Sequence, residues 1–483
     1  MPGKVARGRV SVYARLARGS TPGAAAYFAP VPLPHPLARL ALAAILVGAV
    51  GCGGGPALRA FDAEPLYGEA FSGFALADLA TGELLAERSA DRLFTPASNI
   101  KLLTLATALA WLPSDSLPAL AYRYDADTLR LWATAYPELA ADSAPYNERI
   151  RRAIAGWPGP VEVNLHGYVY LPRLGAGWMW DDYPYAFARE RSGLPVYRNL
   201  VRAWPKVEVG DDGTAGPALT SRGELRFESR PGFVVVRGQD RASARPGLSR
   251  PENQNRYYAP ARTPVGDTLS APLYASANLA PQLLEDWIGR PVRYHNRPLP
   301  ADWGTRVWRG LPRDTLLRAM MLPSDNFLAE QLLLCAGLYH ADLTDPDRIR
   351  ERATEDVLPV DPERLRWADA SGVSHYNLAT PRVLTEVLVD LAARYPLAQL
   401  RRLLPAGGAS GTIADWYASP PGEEPYVYAK TGTLRHNHCL SGYLRADSGR
   451  WLAFSLMHNH YAGSARDYKE AMQRTLARIR EAY

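Results

Sequence analysis

Two hydrophobic rhythms divide this chain. Between residues 71 and 88 apolar side chains alternate with small or polar ones around Thr81-Gly82. That pattern predicts a β-hairpin with strands at 73–78 and 83–86. An apolar run follows at 102–112, opened by Thr95-Pro96-Ala97-Ser98-Asn99-Ile100-Lys101. Thr95 can cap a helix and Pro96 suits a first turn, so a helix is predicted with Ser98 near its start. From about 120 to 270 the texture changes. Short alternating stretches at 161–170, 224–228 and 233–237 lie between Gly, Pro and Asp clusters, with one helical stretch near 147–155. Helical periodicity returns at 279–288, 315–321 and 327–338. Three strands are then predicted at 426–433, 440–446 and 451–458, the last two joined by Asp447-Ser448-Gly449. Ser464 is placed to cap a final amphipathic helix to about 479. The expectation is an α+β fold, helices around an antiparallel sheet, with a mainly β insertion.

Length and charge refine this only after they are located. A chain of 483 residues has room for about three domains. The net charge of +6 is carried by Lys4, Arg7, Arg9, Arg15, Arg18 and Arg39, and no acid precedes residue 52. The remainder is neutral, so a basic nucleic-acid footprint is not supported. The basic stretch leads into an apolar run at 40–50 that ends at Gly51-Cys52. The run is shorter than the roughly 20 residues of a membrane-spanning helix and reads as an export signal, residues 1–51. Cys52 followed by Gly53-Gly54-Gly55 resembles a bacterial lipoprotein cleavage site, although Ala49 stands where that pattern has leucine. A lipid anchor on Cys52 with a tether over 52–64 is therefore expected, simple secretion or an uncleaved anchor being the alternative. Cys335 and Cys439 sit in apolar contexts and are expected as buried free thiols, with a disulfide between them as the alternative.

The candidate chemistry begins at Ser98. A serine hydroxyl needs a base to take its proton. Lys101, three residues on, shares its helix face. Burial and a nearby cation can lower a lysine's pKa enough for it to serve as that base, which arginine cannot do. The chain holds five lysines, so Lys101 and Lys430 are informative. Ser324-Asp325-Asn326 lies between two helical stretches. Its hydroxyl can relay a proton and its carboxamide can orient a substrate amide. Lys430-Thr431-Gly432-Thr433 falls on the first C-terminal strand. It offers a cation, two hydroxyls and a glycine that lets a substrate backbone come close. Alone, each triplet is weak: Ser324 could be a helix cap and Lys430 a solvated strand residue.

In this order and on these elements, the three motifs resemble those of class A β-lactamases and penicillin-binding proteins. The 226 positions from Ser98 to Ser324 narrow the resemblance to class C low-molecular-mass penicillin-binding proteins, the D-alanyl-D-alanine carboxypeptidase/endopeptidase family. Gly177-Trp178-Met179-Trp180-Asp181-Asp182, Ser324 through Glu330, Asp369-Ala370-Ser371-Gly372 and Leu440-Ser441-Gly442-Tyr443 also look like that family. Thr134-Ala135-Tyr136-Pro137 departs from the Gly-Asp-Pro found near there. The resemblance implies a catalytic domain at 65–120 and 270–483, an insertion at 121–269, and acyl transfer on peptidoglycan stem peptides with covalent inhibition by β-lactams. It implies Ser98 as nucleophile, Lys101 as base, Ser324 with Lys430 as proton relay, and Asn326 on the substrate amide. It implies an oxyanion hole from the Ser98 and Thr433 N–H groups, and Thr431, Gly432 and Thr433 around the terminal carboxylate. Asp182 and His375 are expected near the stem's side chain, Asp182 on its ammonium. No metal or other cofactor is implied.

Competing readings remain. His436 and His438, and His458 and His460, share a spacing of two that could bind zinc on adjacent strands, although loop histidines are the commoner origin of such pairs. The richness in Trp and Tyr suits carbohydrate binding or ordinary packing. A serine β-lactamase and a catalytically inactive wall-binding protein are the alternative functions; hydrolysis of a D-Ala-D-Ala peptide separates the latter from an enzyme.

Overall fold

A computed structural model describes residues 55–141, 144–211, 213–221, 224–239, 247–275 and 279–483. Its centre is a five-stranded antiparallel sheet in the spatial order Val427–Leu434, Asn437–Arg445, Trp451–Asn459, Phe71–Asp78, Leu84–Arg88. The first and last parts of the chain thus meet in one sheet, with Phe74 opposite Leu456 and Gly432 opposite Cys439. Alternate side chains of these strands enter two separate cores. Leu440, Leu444, Leu452, Phe454 and Leu456 pack with Met472, Leu476 and Ile479 of the C-terminal helix Ala465–Ala482. Cys439, Tyr443, Ala453 and Met457 pack on the other face with Leu384 and Leu388 of Pro381–Arg394 and with the helix Lys101–Trp111. Burial on both faces is why these strands read as nearly continuous apolar runs rather than clean alternation.

The helix Asn326–Ala341 is apolar around its whole circumference, with every residue from Phe327 to Leu338 buried. A helix of that kind belongs inside a domain. It carries the Ser324 motif at its N-terminus. Asp325, not Ser324, caps it, accepting from the Leu328 N–H at 3.0 Å. Ser464 caps the last helix as its position suggests, accepting from the Arg466 N–H.

A second five-stranded sheet has the order Arg293–Tyr294, Val161–Asn164, Thr128–Trp132, Ser116–Asp125, Val307–Pro312. It draws strands from both sides of the limits placed at 121 and 269, and one core cluster runs through it and the helices. The stretch at 161–170 is a strand only to Asn164; a 3-10 turn, His166–Tyr170, follows because His166 takes a left-handed φ of 54°. The strands expected at 224–228 and 233–237 lie two to three residues later, at Phe227–Arg230 and Val235–Gln239.

Three expectations are corrected. Residues 56–64 are not a loose tether: Pro56–Asp62 is a helix with Ala57, Ala60 and Phe61 buried against the C-terminal helix. Glu64 beside it is gripped by Arg474 at 2.7 Å and Arg478 at 2.9 Å. Thr95 caps nothing, since a 3-10 turn, Ala97–Ile100, precedes the helix and Ala97 has a left-handed φ of 48°. The histidine pairs are not simply loop residues: His438 and His458 are buried, directly opposite one another on adjacent strands. Cys335 and Cys439 are free and buried. Cys52 and residues 1–54 lie outside the described part.

Candidate active site

Ser98 sits in the 3-10 turn, half-buried at the floor of a cleft of about 770 Å³. The turn is pinched between two glycines. A Cβ on Gly432 would lie 2.4 Å from the Pro96 carbonyl and 3.0 Å from the Ser98 nitrogen. A Cβ on Gly372, whose φ is +80°, would lie 2.0 Å from the Ala97 carbonyl. The KTGT strand and the 369–372 turn therefore press directly on the nucleophile's backbone, which any side chain would prevent.

Lys101 opens the following helix, fully buried, with its Nζ 3.0 Å from Ser98 Oγ. The amine also donates to Asn326 Oδ1 at 2.6 Å and to the Ser371 carbonyl at 2.5 Å. Asn326 is oriented by its own amide, which donates to the Phe187 carbonyl at 3.0 Å, so its oxygen must face the lysine. This arrangement suits a base. A neutral amine has two hydrogens and one lone pair. The two pure acceptors take the hydrogens, which leaves the lone pair toward the serine hydroxyl. Burial drives the Lys101 amine down to about 8, against the pull of Asp369, Asp325 and Glu330. Lys430 is also fully buried, donating to the Thr431 carbonyl at 2.8 Å. Burial first, and the Lys101 charge second, push it well below the ordinary lysine value. Two such amines resist being charged together.

The scaffold behind these groups was partly invisible in the sequence. Asp369 is fully buried. It accepts from the N–H groups of Gly372 and Ser374 at 2.7 Å, from the Asn377 amide at 2.7 Å, and from the Trp178 indole at 2.8 Å. Glu330 accepts from the Ser371 N–H at 2.9 Å and pairs with Arg191 at 2.8 Å, both side chains 3% exposed or less. These two acids hold the Ser371 carbonyl against Lys101. Ser324 has a left-handed φ of 62°, a strained setting for a serine. The adjacent Asp325 is held by Arg189 at 2.6 Å and Arg198 at 2.9 Å. Burial alone would raise the Asp325 carboxyl; the two guanidinium groups outweigh it and hold it low. Asp369 and Glu330 stand in segments matched above without a role. Arg189, Arg191 and Arg198 carried no local signal in an arginine-rich chain.

The cleft wall gathers Met179, Asp181, Asp182, Tyr185, Phe187, Val373, His375, Thr433 and Arg435 around Ser98, Ser324 and Asn326. Asp182 and His375, far apart in sequence, are thus brought together. Burial, with Asp181 adding, raises the Asp182 carboxyl, and His375 opposes this. Thr431 Oγ1 lies 2.7 Å from Thr412 Oγ1. Arg435 was not anticipated, and Gly372 stands in a segment matched above without a role. Among the described residues no cluster of three or more His, Cys, Asp or Glu side chains forms a metal-binding group.

The D-Ala-D-Ala carboxypeptidase 3 (S13) family model matches residues 57–117 and 306–479, the parts that hold all three motifs. Over these two segments the chain matches this family. Residues 118–305 lie between the two matched segments, and the insertion expected at 121–269 falls within them. A D-alanyl-D-alanine carboxypeptidase of Actinomadura sp. (strain R39) is 28% identical over 438 residues, covering 83% of this chain and 80% of that one. The D-alanyl-D-alanine carboxypeptidase DacB of Haemophilus influenzae is 30% identical over 156 residues, 31% of this chain and 32% of that one. The crystal structure of penicillin binding protein 4 (dacB) from Haemophilus influenzae superposes with a TM-score of 0.65 at 18% identity, over 88% of this chain and 98% of the other. The last likeness shows the penicillin-binding-protein fold over most of the chain.

Proposed function

We propose that this protein is a serine-type D-alanyl-D-alanine carboxypeptidase/endopeptidase that cleaves peptidoglycan stem peptides through an acyl-enzyme. The observation that carries the reading is the buried Lys101 amine, 3.0 Å from Ser98 Oγ with its two other partners both acceptors. Ser98 attacks the carbonyl of the penultimate D-alanine and Lys101 takes its proton. The N–H groups of Ser98 and Thr433 hold the oxyanion. Ser324, with Lys430, passes the proton to the leaving amine. Thr431 and Thr433 bind the terminal carboxylate beside Gly432, and the second hydrogen of the Asn326 amide serves the substrate. Water then hydrolyses the ester. The relatives named D-alanyl-D-alanine carboxypeptidase support the substrate class. A solved relative complexed with a β-lactam supports binding of that class of drug.

A fluorescent penicillin tests this. It should label the protein covalently, and Ser98→Ala should abolish labelling. An adduct mapped to another serine would sink the assignment, and rapid turnover of the penicillin would mark a β-lactamase instead.

We propose further that residues 1–51 direct export and that Cys52 carries a lipid, placing the enzyme in the cell envelope on a membrane. The basic stretch, the apolar run and the Gly51-Cys52 junction support this. Cys52→Ser should move the protein from the membrane to the soluble fraction; retention there, with no lipid label on the wild type, would refute the anchor.

A further inference from the structure

The buried histidines of the central sheet are left unused by the chemistry above. His438 is 1% exposed and lies directly opposite Thr433 in the register of the KTGT strand and its neighbour. Its Nδ1 stands 2.8 Å from Thr433 Oγ1. Its Nε2 meets no hydrogen-bond partner among the described residues.

We propose that His438 is a positioning residue that donates from Nδ1 to Thr433 Oγ1 and so turns the threonine's own O–H into the cleft, toward the carboxylate of the substrate. This rests on the acyl-transfer reading above.

The argument is a count of hydrogens. Burial, with Lys469 and Lys430 nearby, pushes the imidazole's pKa down to about 3, so the ring is neutral and has one N–H. Placing that hydrogen on Nε2 would bury an unpaired donor and force Thr433 to spend its only hydrogen on Nδ1. Placing it on Nδ1 satisfies the donor and leaves a bare ring nitrogen. Orphaned N–H groups in protein interiors are the rarer defect.

His458, across from His438 on the next strand, shows the same choice. Ser72 gives its hydroxyl hydrogen to the Tyr67 carbonyl at 2.7 Å. Its oxygen, 2.8 Å from His458 Nδ1, is therefore left to accept. His458 Nε2 is likewise without a partner among the described residues. Two adjacent rings thus share one tautomer, and in each the donated hydrogen settles a hydroxyl's direction. Thr433 itself lines the cleft that holds Ser98.

Two acyl-D-Ala-D-Ala peptides test this, one with a free C-terminal carboxylate and one with a C-terminal amide. A charge-assisted hydrogen bond of this kind predicts that His438→Leu lowers kcat/KM for the carboxylate peptide by about ten- to hundredfold, mostly through KM, and leaves the amide little changed. His438→Asn, whose amide N–H can stand where Nδ1–H stood, should restore the preference. Long-range ¹H–¹⁵N spectra of histidine-labelled protein should show His438 protonated at Nδ1 and bare at Nε2. Equal losses on both peptides, a folded Asn variant that restores nothing, or a proton on Nε2 would each overturn the proposal. Failure of the catalytic reading looks different. There the wild type would cleave neither peptide and take up no penicillin, while the spectrum would still decide where the Thr433 hydroxyl points.

Discussion

At the scale of single residues, the site depends on how two buried lysines divide one charge. Lys101 acts as a base only when neutral, and its neutral fraction grows as pH rises through about 8. Acylation by a penicillin, measured before turnover, should therefore rise with pH along a limb centred near 8. A limb near the free-lysine value of about 10.4 would mean that burial does not tune this amine. Below that limb Lys101 is an ammonium, with three donors facing Ser98, Asn326 and Ser371. That form binds the serine oxygen but cannot take its proton. Lys101→Arg would freeze the charged state and should slow acylation by at least about a hundredfold, a typical general-base contribution. Near-normal acylation by this variant would reduce Lys101 to an electrostatic role.

At the scale of elements, the nucleophile's geometry comes from backbone packing against backbone. The 3-10 turn at Ala97–Ile100 rests on Gly432 from one side and Gly372 from the other. Gly432→Ala would put a methyl carbon 2.4 Å from the Pro96 carbonyl, so the strand must move away from the turn. That movement separates the two N–H donors assigned to the oxyanion. Losing such a donor typically costs about a hundred- to a thousandfold, and Gly432→Ala should slow acylation to that degree while still melting cooperatively. An unchanged rate would show that the two elements tolerate separation. This contact also shows what the chain reveals on inspection. The strands and helices of the catalytic part were legible because their apolar periods are long, and two of the three motifs because lysine is scarce. Ser98 with Lys101 could be paired from their spacing. The pinch at Gly372 and the left-handed turn at Ala97 could not, since they arise where segments about 270 residues apart touch. Strand limits in the insertion slipped for the opposite reason: half-exposed strands such as Phe227–Arg230 carry a weak pattern.

At the scale of the whole molecule, the insertion does two separable things for the catalytic part. Arg189 and Arg198 grip Asp325 and hold the turn of Ser324 and Asn326, while Arg191 pairs with Glu330 behind Ser371. Breaking a buried pair by removing one partner typically costs about 3–5 kcal/mol, because the other charge stays buried. Arg189→Met should lower the melting temperature and weaken acylation by every ligand alike. Asp182 is expected to meet the substrate instead. It stands on the wall of the cleft with His375, on the 3-10 turn Trp180–Asp182. Stem peptides that carry diaminopimelate present a side chain ending in an ammonium and a carboxylate. Asp182 is placed to pair with the ammonium. His375 can face the carboxylate, more weakly than an arginine would because an imidazole lacks the guanidinium's fork of donors. A hydrogen bond to a charged group is worth about 1.5–3 kcal/mol. Asp182→Asn should then cut kcat/KM for a diaminopimelyl-D-Ala-D-Ala peptide by about ten- to hundredfold. Acylation by a penicillin lacking that ammonium should barely change. Asp182 can also be read as a turn residue before Tyr183-Pro184, and the two ligands decide between these roles. Equal losses on both would make Asp182 a structural residue of the insertion, like Arg189, and would move the choice of substrate to another part of the wall.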